Sequence, residues 1–267
     1  MVKIKFILLF AIIIVTKCEA QVNFEAAKQE YLFGDLSRAI EMFTKTISLN
    51  DNRAESYMYR GTSYAFLGNF SNAIKDLDSS QLINPATDKI FYYYGKVYLM
   101  KKDYKKAYDY SLRALKINPK DPLILDQIAA SQIMLGNYKD AIDLEIKAIN
   151  IDSSNLIFFS NRGFAKLKLG LYESSIDDFS NSLKIKPSQK AYANRGIAYY
   201  SMKLFQKAIS NFSASLSISP DDGEVYYYRG LSYKKLEDLA SACQDLNASK
   251  KFGYQKASIE LEKMKCN

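Results

Sequence analysis

Residues 88–121 read DKIFYYYGKVYLMKKDYKKAYDYSLRALKINPKD, and the spacing of Gly95, Tyr98, Ala107, Ala114 and Pro119 within them recurs along most of the chain. Outward from Gly95, small residues stand at Ala27, Gly61, Ala129, Gly163, Gly196 and Gly230, in steps of 34 residues with one step of 33. Twelve residues after each comes a second small residue: Ala39, Ala73, Ala107, Ala141, Ser175, Ala208 and Ala242. Three residues before each of these stands an aromatic residue or leucine: Leu36, Phe70, Tyr104, Tyr138, Tyr172, Phe205 and Leu239. Chance does not hold one register over seven units, so the period organises the sequence.

Inside a period the apolar residues follow helical spacing, as at Tyr57, Gly61, Tyr64 and Ala65 and then Ile74, Leu77 and Leu82. Glycine at 34, 68, 136 and 170 suits the left-handed backbone that ends a first helix. Pro85, Pro119, Pro187 and Pro220 stop second helices, because proline cannot continue a helical ladder. The small residues mark where two helices approach closely and a larger side chain would overpack the contact. Each unit therefore reads as two short helices around a tight turn.

This pattern resembles the tetratricopeptide repeat, through Tyr64, Ala73 and Pro85 in one unit, Tyr98, Ala107, Ala114 and Pro119 in the next, and Tyr199, Ala208, Phe212 and Pro220 in a later one. The resemblance implies an all-α, right-handed α-solenoid of about seven helix-turn-helix repeats across residues 21–256. The repeats lie near 21–53, 54–87, 88–121, 122–155, 156–188, 189–222 and 223–256, and residues 257–267 form a C-terminal capping helix with Ala257, Leu261 and Met264 on one face. Glu30, Gln132 and Lys166 stand where the family has tyrosine, and the fifth unit is one residue short around Lys186 to Gln189. An array tolerates such departures because each unit needs only its neighbours. The resemblance is informative about fold and says little about a particular function.

The 267 residues include only 5 prolines and 11 glycines, too few for a loop-dominated chain, and no histidine, which removes the commonest general base and metal ligand. The net charge of +8 is carried by dispersed lysines, which reads as a solvated surface and not as a nucleic-acid site. Two lysines in residues 1–5, an apolar run from Phe6 to Val15 and then Cys18-Glu19-Ala20 predict a secretory signal peptide over 1–20, cleaved after Ala20. The expected location is therefore secreted or periplasmic. Lipid anchoring at Cys18 is the rival reading and the one route to membrane contact, although Lys17 stands where that motif expects a small residue. After cleavage Cys243 and Cys266 remain. A chain reversal at Phe252-Gly253 returns them to nearly one level at about 1.5 Å per residue, so a disulfide is expected in an oxidising compartment. The alternative is two unpaired thiols packed as small apolar groups.

No catalytic constellation, cofactor site, metal site or small-molecule substrate site is expected. Asp177 and Asp178 point apart on a helix, and Asp221-Asp222 suits a helix start. The triplets at Asn69, Asn211 and Asn247 match the glycosylation pattern but read as helix-start chemistry and polar surface. Arg60, Arg162, Arg195 and Arg229 recur just before the small residue, either as a basic ladder for acidic partners or as aliphatic stems packed between helices with wet heads. Among tetratricopeptide proteins one group clamps a partner's terminal carboxylate. Here Asp126, Ala130 and Asn194 occupy three of its places, so the clamp is absent. Another group holds extended backbone with an asparagine ladder, whose places Gln127, Asn161 and Asn194 match, with Tyr59, Tyr93 and Tyr228 in other units. A side-chain amide both donates and accepts, which suits that task.

Beside the amides runs a stripe reading Leu123, Asp126, Ala130 and Ile133, then Ile157, Ser160, Phe164 and Leu167, then Lys190, Ala193, Ile197 and Tyr200. Outer units place Lys28, Glu55, Lys96 and Lys234 there. The expected partner-binding set is Gln127, Ala130, Ile133, Asn161, Phe164, Leu167, Asn194, Ile197 and Tyr200. The competing reading is that these apolar residues close the superhelix more tightly. The expected function is a non-catalytic exported scaffold holding a protein or peptide segment in a concave groove. The alternative is a structural or assembly subunit of a cell-envelope complex.

Overall fold

A computed structural model describes residues 23–266, so the expected signal peptide and Cys18 lie outside the described residues. Among these residues fifteen α-helices follow one another, and the fold class is the all-α repeat solenoid. They form seven pairs and a final helix: α1 (Phe24–Phe33) with α2 (Leu36–Ser48), α3 (Arg53–Phe66) with α4 (Phe70–Ile83), α5 (Asp88–Met100) with α6 (Tyr104–Ile117), and α7 (Pro122–Leu135) with α8 (Tyr138–Ile151). There follow α9 (Leu156–Lys168) with α10 (Tyr172–Ile185), α11 (Gln189–Ser201) with α12 (Phe205–Ile218), α13 (Gly223–Lys235) with α14 (Leu239–Lys251), and lastly α15 (Lys256–Met264). The chain divides into two compact units, one ending at Ser131 and one beginning at Gln132, with the boundary inside α7. In the first, α1, α3 and α5 neighbour one another, and α2 and α4 each pack between consecutive first helices. In the second, α9, α11 and α13 are neighbours in the same way, flanked by α10 and α12.

The turn inside each pair needs one residue with left-handed backbone. Gly34, Gly68, Gly136 and Gly170 supply it, with φ between +77° and +89°. Where the period places another residue type, the same conformation persists at Lys102, Lys203 and Glu237, with φ of 63°, 60° and 63°. Side chains rarely accept this region, because Cβ crowds the carbonyl. The helix contacts therefore impose the turn on the residue. Four second helices begin on side-chain caps: Asp35, Asn69, Asp103 and Asp238 each accept from the amide three residues on.

The small residues do the work their period suggests. A Cβ on Gly61 would stand 2.9 Å from the carbonyl oxygen of Ala73, and one on Gly196 would stand 2.6 Å from the Phe212 ring. Around these approaches Phe43, Leu77, Phe158, Phe179, Phe212 and Leu246 are fully buried. Each aromatic or leucine side chain removed from water is worth about 1.5–3 kcal/mol. Hydroxyls in the second helices satisfy first-turn carbonyls: Ser80, Ser215 and Ser249 donate to the oxygens of Ala54, Gln189 and Gly223 at 2.8, 3.1 and 2.7 Å.

At the C-terminal end α15 buries Ala257 and Leu261 against Leu246. A disulfide joins Cys243 to Cys266, with the two Cα atoms 5.6 Å apart. Lys234, placed by its period on the outer stripe, reaches Glu260 of α15 at 2.9 Å, and Lys263 meets the same carboxylate at 2.9 Å. Those two ammonium groups hold the Glu260 pKa below its ordinary value.

The turn and the close approach yield opposite expectations. Gly196→Ala gains helix propensity of about 1 kcal/mol but must displace a ring, so it should destabilise by about 1–2 kcal/mol net. Lys203→Gly should stabilise by about 0.5–1 kcal/mol by relieving the left-handed backbone. Urea unfolding followed by circular dichroism measures both. A neutral Gly196→Ala would show that α11 and α12 separate without cost.

Candidate partner-binding surfaces

The recurring arginines are committed inside the array. Arg60 Nε and Nη2 donate to Asp76 Oδ2 and Oδ1 at 2.8 and 2.8 Å. Arg162 holds Asp178 at 3.0 and 2.6 Å, and Arg229 holds Asp245 at 2.7 and 2.8 Å. In the sixth pair Arg195 Nε donates instead to Asn211 Oδ1 at 2.8 Å. Asp76, Asp178 and Asp245 are buried, and a buried carboxylate requires such a partner. Both expectations for these arginines are therefore corrected: they are neither a ladder for acidic partners nor stems with wet heads. The signal was in the sequence, as an Asp or Asn sixteen residues after each arginine. Asn211 is likewise corrected from a helix start to a buried mid-helix acceptor.

Departures from tyrosine have local reasons. Lys166 Nζ adds a second cation to Asp178 at 2.7 Å. Gln132 donates to Asp140 at 3.2 Å, and Arg38 pairs with Glu30 at 3.1 Å.

The expected binding residues do not share one environment. Gln127 is buried, and Ser111 Oγ donates to its Oε1 at 2.7 Å. Its amide therefore closes the contact beneath Gly95 and is not open to a partner, which corrects its assignment. Ile133 is corrected too, because it lies in the core at 9% exposure. Ala130 is half-buried on α7. Asn161, Phe164 and Leu167 are half-buried on α9, and Asn194, Ile197 and Tyr200 are half-buried on α11. Lys168 Nζ sits 5.0 Å from the Phe164 ring centre. Asn194 and Ile197, with Lys190, Val225 and Tyr228, line a depression of about 250 Å³ on α11 and α13. The Tyr200 ring meets Tyr228 edge-on at 5.8 Å. Lys190 and Ala193, named on the same stripe, line this depression as well.

A second depression, of about 390 Å³, lies wholly in the first unit and was not anticipated. Its floor is aromatic, with Phe24, Tyr59, Tyr92 and Tyr93, and its edge carries Glu25, Glu55, Asp88 and Asp121 beside Lys28 and Lys89. Tyr59 is the hub: Phe24, Tyr31, Phe43 and Tyr93 lie 5.7, 5.3, 5.6 and 5.5 Å from its ring. Burial pushes Tyr31 and Tyr92 up to about 12, the latter helped by the charges of Asp126 and Asp121. Burial also raises Tyr93. On the far side Lys96 donates to the Tyr31 hydroxyl at 3.1 Å, and burial lowers its pKa. The period marks Lys28 and Glu55 as charged places and Tyr59 and Tyr93 as ladder places, but not that they meet, because side chains from different helices make the depression.

Residues 189–222 match the tetratricopeptide repeat model, and residues 82–147 match the model of anaphase-promoting complex (cyclosome) subunit 3. No curated protein matches the chain. Among solved structures, the Cut9–Hcn1 hetero-tetramer of the anaphase-promoting complex superposes over 89% of this chain with a TM-score of 0.80 at 17% identity. The chain spans about half of that protein, 48% of its length. A tetratricopeptide repeat protein from Parabacteroides merdae aligns over 91% of this chain and 97% of its own, with TM-score 0.65 and 20% identity. The pilF protein of Pseudomonas aeruginosa aligns over 78% and 97%, with TM-score 0.68 and 16% identity. These matches support the tetratricopeptide repeat family for the array, and repeats of this kind imply a protein–protein interaction scaffold that is typically non-catalytic.

The tyrosine cluster sets a pH dependence. A folded pKa above the unfolded value of 10.0 means that stability is complete below pH 10 and is lost as pH rises toward about 12. Urea midpoints at rising alkaline pH should fall, and Tyr92→Phe should flatten that fall. An unchanged slope in Tyr92→Phe would remove Tyr92 from the cause.

Proposed function

We propose that the chain is an exported scaffold that holds an extended segment of a partner protein on the first-helix face of α9 and α11. The observation that carries this reading is Asn194. Its half-buried amide has no hydrogen-bond partner among the described residues, and it stands beside Ile197 and Tyr228 in the depression of the second unit. An amide poised over apolar side chains pairs with one peptide unit while the neighbouring side chains are covered. Phe164 and Leu167 extend the same half-buried stripe on α9. Export rests on the lysines, apolar run and Cys18-Glu19-Ala20 of the N-terminal residues.

Phe164→Ala combined with Asn161→Ala and Asn194→Ala should weaken partner capture from the native source by about tenfold or more, a loss of about 1.4 kcal/mol or more. Helicity and melting should be nearly unchanged. Undiminished capture by the folded triple variant would move the site off this face. The intact mass of the exported protein should correspond to a chain starting at Gln21. A lipid-bearing Cys18 at the start would select the membrane-anchored alternative.

A second reading is a permanent subunit of an envelope assembly; the likeness of residues 82–147 to an anaphase-promoting complex subunit supports the assembly, and the N-terminal residues support the envelope. It requires a fixed partner at constant stoichiometry through purification, whereas the scaffold should be isolated as a soluble monomer.

A further inference from the structure

The depression of the first unit differs from that of the second in its charge. Four carboxylates and two ammonium groups line it, in a chain whose net charge is +8. Three of the carboxylates are committed. Glu25 faces Lys28 at 3.7 Å, Asp88 accepts from the Lys89 amide and from Asn118 Nδ2 at 2.9 and 3.0 Å, and Asp121 caps α7 through the Leu123 amide at 2.8 Å. Glu55 is different: it makes no hydrogen bond or ion pair among the described residues. It lies half-buried in the first turn of α3, one helical turn before Tyr59. A glutamate there answers the positive end of its helix, but Glu55 bonds no amide and both its oxygens keep their acceptor capacity.

We propose that this depression is a subsite for a basic side chain, lysine or arginine, of a bound segment, with Glu55 as the counter-ion and the Tyr59 and Tyr93 rings as walls for the aliphatic stem. The inference rests on the scaffold reading and adds the chemistry of one residue of the partner. An acidic side chain would meet four carboxylates against two ammonium groups, Lys28 and Lys89, of which Lys28 already faces Glu25. A purely apolar one would bury the Glu55 carboxylate without compensation, which is costly. A basic side chain satisfies both surfaces at once, because its stem covers rings and its head pairs with a carboxylate and with the ring faces.

The test uses the full chain and four end-blocked nonapeptides of alanine and serine, with arginine, lysine, norleucine or glutamate at the centre, followed by fluorescence anisotropy. The arginine and lysine peptides should bind about tenfold more tightly than the norleucine peptide. Glu55→Gln should remove that difference without shifting the melting temperature or the norleucine affinity. Glu55→Lys should turn the preference toward the glutamate peptide. Equal affinity for all four peptides, no binding of any, or a basic preference that survives Glu55→Gln would each overturn the subsite. The Asn161, Phe164 and Asn194 triple variant separates the two readings. Peptide binding that this variant abolishes, with no basic preference in the parent chain, overturns the subsite and leaves the scaffold reading standing. A basic preference lost in Glu55→Gln but kept in the triple variant supports the subsite.

Discussion

At Gly196 the backbone of α11 lies so close to the Phe212 ring that a Cβ would stand 2.6 Å from it, and similar approaches recur at Gly61, Gly163 and Gly230. The other features of a pair follow from this contact. It sets how the two helices of a pair meet, and so which residue falls at the turn. That residue must be left-handed even where it is Lys102, Lys203 or Glu237. It also brings the first-helix arginine within reach of the second-helix aspartate sixteen residues on, as in Arg60–Asp76. Three pairs are thus closed by a small-residue contact on one side and by a bidentate ion pair on the other, through Arg60–Asp76, Arg162–Asp178 and Arg229–Asp245.

That closure explains where partner chemistry can lie. Groups engaged inside a pair cannot also serve a ligand. The guanidinium groups of Arg60, Arg162 and Arg229 are held by their own aspartates, and Gln127 is held by Ser111. Two polar groups on first helices keep no hydrogen bond among the described residues and line the depressions: Asn194 in the second unit and Glu55 in the first. One is neutral and suits a peptide bond, while the other is charged and suits a cation. The two units therefore present different chemistry although they repeat one architecture.

The Glu55 depression shows why a stripe read along one helix misses a site. Its floor comes from α1, α3 and α5, through Phe24, Tyr59 and Tyr93, residues from three different repeats. The period lists each of them at its place but does not say that the rings meet. Tyr59, with four aromatic neighbours, looks in sequence like any other repeat tyrosine.

The all-α class, the pairing of helices, the turn positions and the small contact residues were legible in the residue order. Those features follow from local spacing, which helical geometry converts directly into faces and ends. It also placed Cys243 and Cys266 at matching levels, and their sulfurs are joined in the structure. Which polar groups are already engaged depends on the packing of one repeat against the next. Gln127, Asn161 and Asn194 hold equivalent places in the period, yet Gln127 is buried beneath Gly95 whereas Asn194 opens onto a depression. The difference arises from the neighbours that each helix meets, Ser111 in one case and Tyr228 in the other. A repeat specifies where a side chain starts, and the packing of adjacent repeats decides whether it is left free to bind.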